Sequence, residues 1–362
     1  MSTRFLTLLL WTSLLVSACV PAAAEVAPAA VIHTPTLALP TPIPPTLTPV
    51  PVAQTSQCVP PYAQDSIWNT PIDWGMARIH PQSTEMVAAF FKRDDWIGSD
   101  VTQYAPNIYY ADRDTPLVEV RLWPSRSFRD ATSDVEIVYG QPGDVVWLPL
   151  PPEARPAPGT DGELVVINRD TGEEWGLAKT SRGLDGSWSA GSVYRYLLTN
   201  SGVPPVGFAQ RGAGIGSLAG IVRPCEVEQG EIRHAVTIAY DYPCAPNVCE
   251  ANGWPAVVPP FTKTDGQGTA RFDIPEGARL VIRPEISAAE IEQVCGGVRG
   301  CIVWVRAMQA YGGFIVDNSG HPKTYGEGIL SARWDPSVWS EDMLRNIPPT
   351  WYAVLDWNVP AN

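Results

Sequence analysis

Asp161-Gly162-Glu163-Leu164-Val165-Val166-Ile167-Asn168-Arg169-Asp170-Thr171-Gly172 decides the fold class. Asp-Gly is a turn signal, the aliphatic run after it has strand character, and Asn168 to Gly172 returns to turn chemistry. Glu163, Val165 and Ile167 alternate with Leu164, Val166 and Asn168, so Glu163 projects from a strand. The acids around it (Asp161, Glu163, Asp170, Glu173 and Glu174) read first as a solvated hairpin. The competing reading is a carboxylate pair for glycoside hydrolysis, which needs two such groups roughly 5–9 Å apart. Asp161 is the member taken as a candidate catalytic group.

Further strands are expected at 117–121, 145–148, 232–241, 278–283 and 313–317, separated by Pro142-Gly143 and Asp185-Gly186 breaks. Helices are fewer. Ser83 to Arg93 places Met86, Ala89 and Phe90 at helical spacing, and Ser287 with Glu290 three residues on is a capping box. Ile302 to Ala310 ends at glycines suited to a left-handed C-cap, and Ser340 to Ile347 stops before Pro348-Pro349. Many short strands with a few helices predict a mainly β chain, a β-sandwich or jelly-roll-like single domain.

The N-terminus sets the expected location. Arg4 precedes an apolar stretch from Phe5 to Leu15, too short to span a bilayer core of about 30 Å. Val16-Ser17-Ala18-Cys19 then resembles the lipobox of bacterial lipoproteins. That resemblance implies a signal peptide over 1–18, acylation of Cys19 and an exported body held to the cell surface by its lipid. Residues 19–57 are rich in Pro, Thr and Ala, with Glu25 and His33 as the ionisable side chains. Proline fixes φ and removes a backbone donor, so the segment reads as a disordered extended tether reaching about 100 Å.

The folded body is therefore expected over 58–362. It carries all of the formal −13 charge, because the signal and tether contribute one Arg and one Glu. An acidic body excludes nucleic acid as a natural partner and leaves membrane attachment to the acyl chains. Apart from Cys19, the six cysteines suit disulfides in an exported protein. Cys244 with Cys249 and Cys295 with Cys301 bracket short turns, which leaves Cys58 for Cys225. No Cys-x-x-Cys pair occurs, so no metal centre or cofactor is expected.

Candidate chemistry is spread along the chain. If 232–241 is one strand, Ile232, His234, Val236, Ile238 and Tyr240 share a face, and His234 becomes a general acid or base. Asp317 ends a buried strand where it meets a polar loop, with Asn318 beside it. Gly212-Ala213-Gly214-Ile215-Gly216 lacks the Lys-Ser/Thr ending of a phosphate loop and reads as a close-approach segment, with Arg211 free to bind an anionic group. The chain has 14 Trp against 8 Phe, and flat amphipathic rings suit sugar faces. Trp68 and Trp188, in Gly/Asn/Ser-rich contexts, are taken as substrate platforms with Tyr240 and Tyr311. Trp147 and Trp304 are assigned to the core.

Asp65-Ser66-Ile67-Trp68-Asn69-Thr70-Pro71, Asp161-Gly162, Ile232 to Val236 and Arg306 to Asn318 together resemble an uncharacterised family of secreted proteins. The resemblance implies one exported domain and transfers no catalytic residue. The signatures of jelly-roll alginate lyases and laminarinase-like glucanases are absent. The expectation is a monomeric cell-surface lipoprotein acting on extracellular carbohydrate, as hydrolase or lyase through His234, Asp317 and Asp161. Its alternative is a glycan-binding or envelope-structural lipoprotein without catalysis.

Overall fold

The computed structural model describes Cys58, residues 62–208 and residues 210–361. Cys19, the signal peptide and the tether lie outside the described residues. The architecture is mainly β, with three mixed sheets and a few short helices.

Two sheets make a sandwich. One runs in the order Val145–Pro149, Leu117–Leu122, Trp188–Ala190, Ser181–Arg182. The other runs Asn107–Ala111, Leu164–Asn168, Glu173–Ala178, Ser192–Leu197, Arg129–Ala131, Val138–Tyr139. Val120, Leu122, Val146 and Leu148 from the first meet Leu164, Val166, Leu177 and Val193 from the second in one apolar cluster. The opposite face of the second sheet is covered as well. Val165 and Ile167 pack with Leu218, Ile221, Ala239 and Tyr325.

Every residue of Leu164–Asn168 is therefore buried, and the hairpin expected to be solvated is an interior one. Its turn is as expected: the Asn168 side-chain oxygen accepts from the backbone N–H of Asp170 (3.0 Å) and Thr171 (3.2 Å), and Gly172 has φ +70°. The alternation was right. What it lacked was the layer beyond the strand.

The third sheet has the order Gly98–Asp100, Lys323–Tyr325, Val236–Tyr240, Gly313–Asn318, Arg279–Ile282, Tyr352–Val354. The helix Arg299–Ala310 places Trp304 and Met308 in one cluster with Ile238, Leu280 and Ile315. Gly312, at φ +70°, turns the chain from that helix into its following strand. In this sheet Val236–Tyr240 pairs in parallel with Gly313–Asn318, and the register slips between Ile238 and Ala239. Ile238 faces Ile315, but Ala239 faces Asp317, so Val316 is an extra residue. Such a bulge re-aims the side chain after it.

Ser83–Phe90 and Ala288–Cys295 are helices as read, the latter with the reciprocal Ser287–Glu290 capping box. Two more helices, Pro224–Gln229 and Pro246–Ala251, each open on a proline in the first turn, where its missing N–H costs nothing. Ser340 to Ile347 is instead a run of turns with bonds reaching back three residues, as from Met343 N–H to Ser340 O (3.2 Å). Leu344 and Ile347 still bury themselves in the core.

Three disulfides join the expected partners, Cys58–Cys225, Cys244–Cys249 and Cys295–Cys301. The first closes 167 residues, against 5 and 6 for the others. Restricting the unfolded chain stabilises more as the closed loop lengthens. Replacing Cys58 and Cys225 together by Ala is expected to cost ~2–5 kcal/mol in chemical denaturation. The same change at either local pair should cost less. Equal losses from all three pairs would contradict a chain-entropy origin.

Candidate functional site

The strongest convergence of polar side chains lies where the middle sheet of the sandwich approaches the third sheet. A cleft of about 330 Å³ is lined by Asp161 and Glu163, Arg211, Asp317 and Asn318, and Lys323 with Tyr104 and Tyr325. Sequence reasoning had singled out Asp161, Arg211, Asp317 and Asn318 separately. The fold brings all four together.

Each arrives by a local device. Asp161 sits on the turn before the buried strand, held by an ion pair to Lys179 and by its carbonyl accepting from Lys179 N–H (2.5 Å). Gly162 takes φ +49°, and a Cβ there would lie 2.6 Å from Thr180 O, so glycine is required. Glu163 follows directly. Asp317 reaches the cleft through the bulge. Strict alternation would put it on the face of Ile315, whereas the extra Val316 turns it toward Arg211, on the side where Phe314 and Val316 pack with Ala213 and Ile215.

Arg211 is the hub. It is buried, with its backbone at φ +45°, a strained value for a residue with a side chain. Its Nη2 donates to Glu163 Oε2 (3.0 Å), its Nη1 lies 3.6 Å from Asp317 Oδ2, and its guanidinium sits 4.9 Å from the centre of the Tyr325 ring. Lys263 Nζ donates to the Arg211 carbonyl (2.6 Å) and fixes the loop. The guanidinium is thus committed to protein carboxylates, rather than free for an anionic substrate group.

Burial dominates the electrostatics. It raises the Glu163 carboxyl above its ordinary range, against the opposing pull of Arg211 and with a push from Asp161. It pushes Asp317 up to about 7, with Asp265, Glu163 and Asp161 adding to the shift and Arg211 opposing it. Glu276 is raised well above the usual carboxylate range, first by burial and then by Asp265. One ligand-capable oxygen each from Asp265, Glu276 and Asp317 lie within 4.8 Å of one another.

His234 is placed elsewhere, and its expected acid–base role does not survive the geometry. The strand begins only at Val236, so the His-Tyr stripe never forms. The imidazole is 1% exposed, with Nδ1 against Ala235 O (2.9 Å) and Nε2 against Glu226 Oε1 (3.0 Å). It is a core histidine with both nitrogens engaged. Tyr240 is buried too, its hydroxyl bridging the carbonyl (3.0 Å) and N–H (2.5 Å) of Ile274. Tyr311 is half-buried and has Glu231 and Arg233 as its charged neighbours, outside the cleft.

The aromatic platforms also change places. Trp68 is fully buried, donating Nε1–H to Gly202 O (3.0 Å) and packing edge-on against Phe261 and Phe314. Trp188 is buried beneath Arg182. Trp304 is interior as expected, but Trp147 is 55% exposed and Trp123 43% exposed. Val146 and Leu148 point into the sandwich, so Trp147 between them must point out.

Glu163, Asp265, Glu276, Tyr104, Lys323 and Tyr325 were not assigned from sequence. Only Glu163 carried a signal, its place next to Asp161-Gly162 at the head of a strand. No family model, no curated protein and no solved structure matches this chain, so the site stands on its own chemistry.

Proposed function

We propose that the cleft hydrolyses glycosidic bonds of a neutral extracellular polysaccharide, in a protein tethered to the cell surface through acylated Cys19. The observation that carries the reading is the meeting of Asp161, Glu163 and Asp317 around one buried arginine in an open cleft. Paired carboxylates in different environments divide acid and base work between them. Glu163, buried and raised, holds the proton for the leaving oxygen. Asp161, half exposed beside Lys179, is the carboxylate that serves water or the sugar. Arg211 positions Glu163 through Nη2. Asn318, Ser319 and Lys323 line the cleft where sugar hydroxyls would lie.

Hydrolysis is favoured over lyase chemistry by charge. A uronate lyase needs a cation for the substrate carboxylate, yet Arg211 already serves two protein carboxylates. Export is supported by the three disulfides, and no helix among the described residues is long and apolar enough to cross a membrane.

One observation favours a second reading, glycan binding without cleavage: Trp123 and Trp147 stand exposed on the sandwich. The test is incubation with neutral and uronic-acid polysaccharides, following reducing ends and the ultraviolet absorbance of unsaturated uronates. New reducing ends from neutral glycans without the chromophore are expected. The chromophore would establish a lyase instead. Tryptophan quenching by glycan with no new ends would leave only binding.

A further inference from the structure

Asp265, Glu276 and Asp317 come from three separate segments, and their side-chain oxygens crowd together although all three are acids. Glu276 is fully buried. Its Oε2 accepts from the backbone N–H of Asp265 (3.0 Å), but its Oε1 has no hydrogen-bond partner. An unpaired buried carboxylate oxygen is costly, more so beside other carboxylates. Among the described residues neither Asp265 nor Glu276 makes an ion pair. The cations nearby are turned to other work: Lys263 to the Arg211 carbonyl, Arg211 to Glu163 and Asp317.

The orphan oxygen is aimed at the cluster. A Cβ built on Gly212 would lie 2.2 Å from Glu276 Oε1, 2.6 Å from Asp265 Oδ1 and 2.8 Å from Val316 O. Three oxygens from three segments thus crowd against Gly212, where any side chain would clash with them. Asp265 is held toward it by Asn318, whose Nδ2 donates to Asp265 Oδ1 (2.8 Å).

We propose that Asp265, Glu276 and Asp317 bind a hard divalent cation, Ca²⁺ in preference to Mg²⁺. The donors are all oxygen, which selects hard cations over zinc or copper. They come from unconnected segments, one of them a β-bulge. Irregular oxygen cages of that kind suit Ca²⁺, whereas Mg²⁺ demands near-octahedral geometry. The cation offsets the charge of the cluster and ties the loop carrying Asp265 to the strand carrying Asp317. This site stands whether or not the cleft cleaves glycans.

The test uses chelator-treated full-length protein and reads binding, not activity. CaCl₂ at about 5 mM, above the range typical of extracellular calcium modules, is expected to raise the melting temperature by several degrees. MgCl₂ at the same concentration should raise it less. Calorimetric titration with Ca²⁺ should give one site per chain, and Tb³⁺ should luminesce on excitation of nearby aromatic rings. Asp265 is exposed, so D265N is expected to fold and to weaken Ca²⁺ at least 10-fold. E276Q puts a neutral amide of the same shape in the buried position and should melt no lower than wild type in chelator while losing the calcium response. No calcium-dependent shift and no heat would overturn the site, as would a full response retained by both variants.

Discussion

Replacing Asp161 by Asn is expected to lower the proposed glycan hydrolysis by ~10²–10⁴-fold while leaving the melting temperature nearly unchanged. The two halves of that result have separate origins. Asp161 and its partner Lys179 are each nearly half exposed, and a solvated pair of this kind contributes at most about 1 kcal/mol. Stability therefore has little to lose. On the proposed hydrolysis, activity loses the carboxylate that activates water or stabilises the sugar. Glu163→Gln should be as inactive, because an amide has no proton to deliver to the leaving oxygen.

The pH profiles distinguish the two roles. If Glu163 donates the proton, the rate falls as pH rises through its raised pKa, and that limb disappears in the residual activity of E163Q. D161N retains the limb at a lower rate. A D161N variant within threefold of wild type would remove Asp161 from the reaction. A wild-type rate that instead climbs with pH through neutrality would remove Glu163 as the acid.

The protein should be several kcal/mol less stable at pH 8 than at pH 5, measured in chelator so that no divalent cation contributes. Glu327 is pushed up to about 7 by burial and by Glu226, with Ser331 and Arg223 opposing. Glu174, fully buried, is raised by desolvation despite hydrogen bonds from Tyr62, Tyr194 and the Leu218 N–H and the attraction of Arg211. Glu163 is raised in the same direction.

A carboxyl with a raised folded pKa keeps its proton in the native state over a range where the unfolded chain has lost it. Its contribution is whole below the unfolded value near 4.5 and disappears as pH rises through the folded one. For Glu327 that window runs from 4.5 to about 7, and the loss is on the order of 3 kcal/mol. Glu226 works in the opposite sense. Its carboxyl is held well below the usual range, chiefly by Arg223 and then by His234, against its own burial. It loses its contribution only as pH falls below 4.5, so the maximum should lie near pH 5.

For a domain of this size a fall of roughly 5–10 °C in melting temperature between pH 5 and 8 is expected. E327Q should flatten part of the slope. A melting temperature that is level or rising across that interval would contradict the assignment.

Local chemistry made much of the fold legible. The Asn168–Gly172 turn, the Ser287–Glu290 capping box and the glycine stop after Ala310 each depend on residues within a few positions of one another. The three disulfides followed from spacing and elimination. Ser340 to Ile347 failed as a helix because its apolar residues pack against the core from successive turns, a tertiary preference stronger than local propensity.

The site was half legible. Asp161, Arg211, Asp317 and Asn318 each had a local oddity that drew notice: an Asp-Gly turn, a glycine-rich neighbour, a strand end. Asp265 and Glu276 had none. The aromatic residues went wrong in both directions, Trp68 inward and Trp147 outward, because burial depends on which faces of a sheet are covered.

By itself the sequence determined the class of structure: mainly β, acidic, cross-linked by three disulfides, with its turns and caps in place. Those properties rest on short-range sterics and hydrogen bonding. Tertiary structure alone decided which carboxylates meet. A single extra residue at Val316 turns Asp317 toward Arg211, and the packing of one sheet on another buries Glu163 and Glu276 beside it. Desolvation and charge proximity, which give those groups their chemistry, exist only once distant segments share one interior.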